Sequence, residues 1–80
     1  MSNARMRYFI RVTNIAIFNA LVEAAEKHAA EQNVTYEAQR RNGYYELSTG
    51  SAALWHDLYL YGQMIAQAQD EYIDGGELPA

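Results

Sequence analysis

Val34-Thr35-Tyr36-Glu37-Ala38-Gln39-Arg40-Arg41-Asn42-Gly43-Tyr44-Tyr45-Glu46-Leu47-Ser48-Thr49 is the stretch on which the architecture turns. Two alternating runs flank Asn42-Gly43, and that dipeptide in that setting is a strong hairpin signal, because a type I′ turn needs positive φ at both central residues. A two-residue turn also fixes register. It sets Arg41 opposite Tyr44, Arg40 opposite Tyr45, Gln39 opposite Glu46, Ala38 opposite Leu47 and Tyr36 opposite Thr49. Tyr36, Ala38, Tyr45 and Leu47 then share a face suited to a core. Thr35, Glu37, Gln39, Arg41, Tyr44, Glu46 and Ser48 share one suited to water.

On the N-terminal side of the hairpin, Ile15 to about Gln32 puts Phe18, Leu21, Val22, Ala25 and Ala29 on one stripe and Asn19, Glu23, Glu26, Lys27 and Glu31 opposite, which predicts an amphipathic helix. Thr13-Asn14 offers side-chain oxygens to its first turn, and Asn33 a left-handed stop. Before it, Arg7 to Val12 alternates, with Tyr8, Ile10 and Val12 on one face and Arg7, Phe9 and Arg11 on the other, as a strand does. Residues 1–5 read as a flexible N-terminus or cloning scar. On the C-terminal side, Gly50-Ser51 closes the hairpin, a helix runs from Ala52 to about Ile73, and Gly75-Gly76 ends it. Residues 75–80 then read as a flexible acidic tail. The expectation is a single α+β domain over 6–74, two layers in the order β-α-β-β-α, a three-stranded sheet with two helices packed on one face.

Eighty residues leave room for one core only. Half are hydrophobic and 20% charged, so the chain has the composition of a folded domain. The lack of cysteine removes disulfides, thiolate metal sites and a thiol nucleophile. No apolar run approaches the ~20 residues of a membrane span. The expectation is a cytoplasmic protein without membrane association. A core this small supplies little net stability unaided, so a partner or a second copy is expected.

The net charge of −4 is unevenly spread. All six basic residues (Arg5, Arg7, Arg11, Lys27, Arg40, Arg41) lie before residue 42, while Glu46, Asp57, Asp70, Glu71, Asp74 and Glu77 follow it with no Lys or Arg. This distribution serves solubility; it also suits a basic partner. Binding of nucleic acid by the whole chain is disfavoured at a pI near 4.9.

The second helix carries an unusually wide apolar arc. Leu54, Leu58, Tyr61, Ile65 and Tyr72 form one stripe, Trp55, Tyr59, Gly62, Ala66 and Ile73 a neighbouring one, and Leu60 and Met64 lie beyond both. Either Trp55 and Tyr59 line the edge of the core and Leu60 and Met64 are isolated exposed residues, or the helix is shared with another chain. With two helices and three strands, no element remains to cover the extra arc, which favours the second. Among the seven tyrosines, Tyr36, Tyr45 and Tyr61 suit the core; Tyr44, Tyr59 and Tyr72 suit a contact.

No constellation for catalysis is evident. His28 borders the apolar stripe of the first helix as a structural histidine would, and the neighbours His56 and Asp57 cannot face each other on a helix. There is no metal-binding spacing and no glycine-rich phosphate loop. No cofactor and no metal are expected.

The water-facing side of the sheet carries another possibility. With the first strand beside the third, Phe9 and Tyr44 lie among Arg7, Arg11 and Arg41, rings and guanidiniums able to stack on and neutralise a nucleotide or single strand. In element order this layout resembles the first five elements of a ferredoxin-like or RNA-recognition-motif domain, a likeness that implies ligand binding on the sheet. Tyr44-Tyr45-Glu46-Leu47 departs from the basic, glycine-containing motif of the latter, and Glu37 and Glu46 oppose phosphate. The element order, size and acid-only second half are also similar to the DinI family of small regulators.

The expected function is a non-catalytic protein-interaction module, a small acidic regulator or inhibitor of the kind found in phages and mobile elements. It would occlude a partner with a basic surface and form a homodimer, through Trp55, Tyr59, Leu60, Met64, Asp57, Asp70, Glu71, Asp74 and Glu77. The alternative is nucleotide or single-stranded nucleic-acid binding on the open sheet face through Arg7, Phe9, Arg11, Arg41 and Tyr44.

Overall fold

A computed structural model describes residues 6–79; the expectation for residues 1–5 lies outside the described residues. The chain runs β1 (Met6–Val12), α1 (Ile15–Gln32), β2 (Tyr36–Arg40), β3 (Tyr45–Thr49), α2 (Ala52–Ala68) and β4 (Ile73–Pro79). Asn14 caps α1, its side-chain oxygen accepting from the backbone N–H of Ala16 at 2.8 Å and of Ile17 at 3.2 Å. Asn33 ends that helix at φ 57°, and the Val34 N–H donates back to the Ala29 carbonyl at 3.0 Å. That pairing is a Schellman closure. Ser51 caps α2 by accepting from the Leu54 N–H at 3.1 Å.

The hairpin has the anticipated register, Tyr36 opposite Thr49 through Arg40 opposite Tyr45, and the Arg41 N–H donates to the Tyr44 carbonyl at 2.8 Å. Its turn is not type I′. Gly43 alone has positive φ, at 90°, while Asn42 does not, which is the type II pattern. Thr49 is fully buried, and its hydroxyl donates to the Thr35 carbonyl at 2.8 Å and accepts from the Ser51 N–H at 3.1 Å. The hydroxyl therefore enters the core with its hydrogen bonds made.

The sheet has four strands, not three, in the order β2-β3-β1-β4 with every neighbouring pair antiparallel. The fourth strand follows from the backbone at Asp70. This residue takes φ 57°, and the Glu71 N–H closes back on the Ala66 carbonyl at 2.8 Å, so α2 ends at Ala68 rather than near Ile73. A second Schellman closure, built on an aspartate rather than a glycine, releases the following residues to pair with β1 from Ile73 opposite Val12 to Pro79 opposite Met6. Gly75 and Gly76, read as a helix end, are strand residues inside β4. A Cβ on Gly75 would lie 2.5 Å from Tyr59 Cε1 and 3.2 Å from the Phe9 carbonyl oxygen, and one on Gly76 would lie 3.3 Å from the Phe9 ring. Each glycine thus leaves room for an aromatic ring, one on either face of the sheet. Gly75→Ala is expected to cost about 1–3 kcal/mol, read from urea denaturation, and the cost should shrink in a Tyr59→Ala background.

Both helices cover one face of this sheet, with Ile17, Leu21, Ala25 and Ala29 of α1 and Leu54, Leu58 and Ala66 of α2 enclosing Ile10, Val12 and Leu47. Gly62 lets α2 come close, since a Cβ there would meet Ile73 at 2.9 Å and Leu21 at 3.1 Å. Strand order and connections together are the ferredoxin-like topology, completed by the last strand that the first five elements lack.

Candidate interaction surfaces

Trp55 and Tyr59 are half-buried and belong to the fold. The Trp55 indole N–H donates to the Phe9 carbonyl at 2.9 Å, its ring stacks on Tyr59 at 5.2 Å and 12°, and Tyr8 packs beside it at 5.7 Å. Tyr59 in turn covers Gly75 of β4. The element that covers this side of α2 is therefore the fourth strand. Leu60 and Met64 are different: they are 56% and 61% exposed, and Tyr61, expected in the core, is exposed beside them. Next to them a groove of about 480 Å³ runs between α1 and α2, walled by Ala24, Leu60 and Tyr61 and edged by Glu23, Lys27 and Asp57. His28 also lines it, its Nδ1 3.5 Å from Glu31, and the Asp57 carboxylate accepts from Gln32 Nε2 at 3.2 Å.

Among the described residues the net negative charge lies on the helical layer, because the arginines of the sheet are matched within it by Glu37, Glu46, Asp74 and Glu77. Every arginine among the described residues lies on a strand or in the hairpin turn, whereas the two helices carry Glu23, Glu26, Glu31 and Asp57 against Lys27 alone. The acids of the expected contact do not form one patch. Asp57 borders the helix groove, Asp70 and Glu71 sit in the connection before β4, and on β4 Asp74 opposite Arg11 and Glu77 opposite Tyr8 take opposite faces.

The open face does bring Phe9, Arg11, Arg41 and Tyr44 together, but around a carboxylate. Glu46 is only 6% exposed; its Oε2 accepts from Arg11 Nε at 2.8 Å and its Oε1 from Arg41 Nη2 at 3.2 Å. The Arg11 guanidinium lies 4.2 Å from the centre of the Phe9 ring and 5.4 Å from that of Tyr44. Arg7 bonds the Ser48 hydroxyl at 3.2 Å. Burial pushes the Glu46 carboxyl up, but the hydrogen bonds and charges of Arg11 and Arg41 outweigh it and hold it below its ordinary value; the hydrogen bond to Glu46 in turn raises Arg11. A carboxylate depressed on folding stabilises the fold fully above its unfolded pKa, and that contribution disappears as pH falls through the folded one. Lowering the pH from neutral to about 3 should therefore cost the parent more stability than the Glu46→Gln variant, measured by urea midpoints. Parallel profiles would remove this role for Glu46.

Among the described residues no group of three His, Asp or Glu side chains converges as a metal site, and no helix is long and apolar enough to cross a membrane. The fold and its surfaces define a small two-layer α+β domain with a helical groove and a charged sheet face. No family model matches the chain, and no curated protein does. Among solved structures it is similar to a de novo designed protein, Foldit4, at 14% identity and a TM-score of 0.49, over 94% of this chain and 92% of that one.

Proposed function

We propose that the chain is a non-catalytic interaction module that occludes a basic partner with the outer face of its helical layer. The observation that carries this reading is the exposure of Leu60 and Met64 next to a groove whose charged edge is Glu23 and Asp57 with Lys27. Large apolar side chains left in water beside a concave, partly acidic surface suit a partner that brings its own apolar anchors within a cationic rim. A second copy seated here would bring the same net-negative edge, Glu23 and Asp57 with Lys27, so the face fits a basic partner better than itself. The nucleic-acid reading is weakened by Glu46, whose charge offsets one of the two arginines that would have to neutralise a run of phosphates.

The test is binding of a fluorescent synthetic amphipathic helix made of Leu and Lys, with its Leu and Glu counterpart as control. Salt-sensitive binding of the Lys peptide that is lost in Leu60→Glu supports the proposal; equal binding of both peptides, or none, overturns it. Light scattering over a dilution series completes the test, since a dimer abolished by Leu60→Glu would make the occupant a second copy.

A further inference from the structure

A cleft of about 450 Å³ lies at the end of the sheet where β1 leaves and β4 enters, lined by Arg11, Thr13, Tyr44, Tyr72, Ile73 and Asp74. Its volume falls within the ~300–1,000 Å³ of small-molecule sites. Arg11 is held at its Nε by Glu46 and lies 4.2 Å from the centre of the Phe9 ring and 5.4 Å from that of Tyr44, and among the described residues its two Nη nitrogens make no hydrogen bond. A fixed guanidinium with a free edge is a receptor for a carboxylate. Directly across the strands, Asp74 pairs with Arg11 in register, yet no ion pair joins them, because Arg11 is engaged by Glu46. Tyr72 is 92% exposed, a large ring that the fold leaves in water at the mouth of the cleft.

We infer that this cleft binds a free α-amino acid with an aromatic side chain. The carboxylate sits on the free edge of Arg11, the ammonium beside Asp74, and the ring against Tyr44 and Tyr72. Opposite charges one strand apart match a zwitterion. A phosphate would be repelled by Asp74, and a simple amine by Arg11. The aromatic wall supplies affinity through stacking and water exclusion. This site is on the sheet, away from the α1–α2 groove, and its test is independent of the docking reading.

Titration of the full chain, by amide NMR shifts, should give a dissociation constant below about 1 mM for L-tryptophan. Tryptamine, which lacks the carboxylate, and indole-3-propionate, which lacks the ammonium, should each bind about tenfold more weakly. Asp74→Asn and Tyr72→Ala, both at exposed positions, should weaken tryptophan by a similar factor with circular dichroism unchanged. Equal binding of tryptamine and tryptophan, tighter binding of adenosine monophosphate, or no shift with any of the four probes overturns the inference.

Discussion

Deletion of residues 75–80 is expected to unfold the domain. The segment reads as a tail in the sequence, but it supplies five of the seven pairings that β4 makes with β1, from Gly75 opposite Ile10 to Pro79 opposite Met6. Without it, β1 becomes an edge strand with open backbone groups, and Tyr59, which packs over Gly75, loses its floor. A core in a chain of this size supplies only about 3–5 kcal/mol net, so losing a strand's hydrogen bonds together with its packing consumes most of that margin. Circular dichroism and amide NMR dispersion of the shortened chain decide the matter. Loss of cooperative unfolding is the expected result; a folded three-stranded monomer would show that β4 is dispensable.

Leu54→Ala and Leu60→Ala, one residue type on one helix, are expected to differ sharply. Leu54 is fully buried in the core cluster that also holds Ile10, Val12 and Leu47, and truncating it leaves a cavity at a cost of about 2–5 kcal/mol, enough to populate the unfolded state at room temperature. Leu60 is mostly in water, and its truncation should move stability by less than about 0.5 kcal/mol. Urea denaturation of both variants separates the half of the apolar arc that folds the protein from the half left exposed. Comparable losses would place Leu60 in the core and remove the docking face.

The elements that announce themselves locally were legible. Asn14 and Asn33 bracket α1 as their side chains and backbone preferences require, and Asn42-Gly43 sets the hairpin register even though Asn42 does not take the expected positive φ. The fourth strand was not, for a physical reason. A left-handed stop at an aspartate is rarer than one at glycine or asparagine, so Asp70 gave a weak signal, while Gly75-Gly76 gave a strong one for the wrong structure. What makes two glycines acceptable in a strand is the pair of rings, Tyr59 and Phe9, that cover them, and such a contact between distant segments has no local signature.

The fourth strand also decides which side chains of α2 are covered. Of the apolar arc beyond the core stripe of α2, Leu60 and Met64 stay exposed, whereas Trp55 and Tyr59 pack toward β1 and β4. Charge arithmetic along the chain pointed to basic and acidic halves, yet strand order interleaves β1 with β3 and β4 and brings Arg11 against Glu46 and opposite Asp74. Arg7, Phe9, Arg11, Arg41 and Tyr44 do share the sheet's outer side, as alternation required; that Glu46 would be buried between two of them depends on a cross-strand register with β1 that only the fold supplies.

The central claim, that the helical face rather than the sheet meets a macromolecular partner, is tested most directly by amide NMR shifts on addition of the Leu and Lys helix. Shifts concentrated at Ala20, Ala24, Leu60, Tyr61 and Met64 are the predicted result. Shifts at Phe9, Arg41, Tyr44 and Glu46, with the α1–α2 groove silent, would contradict it.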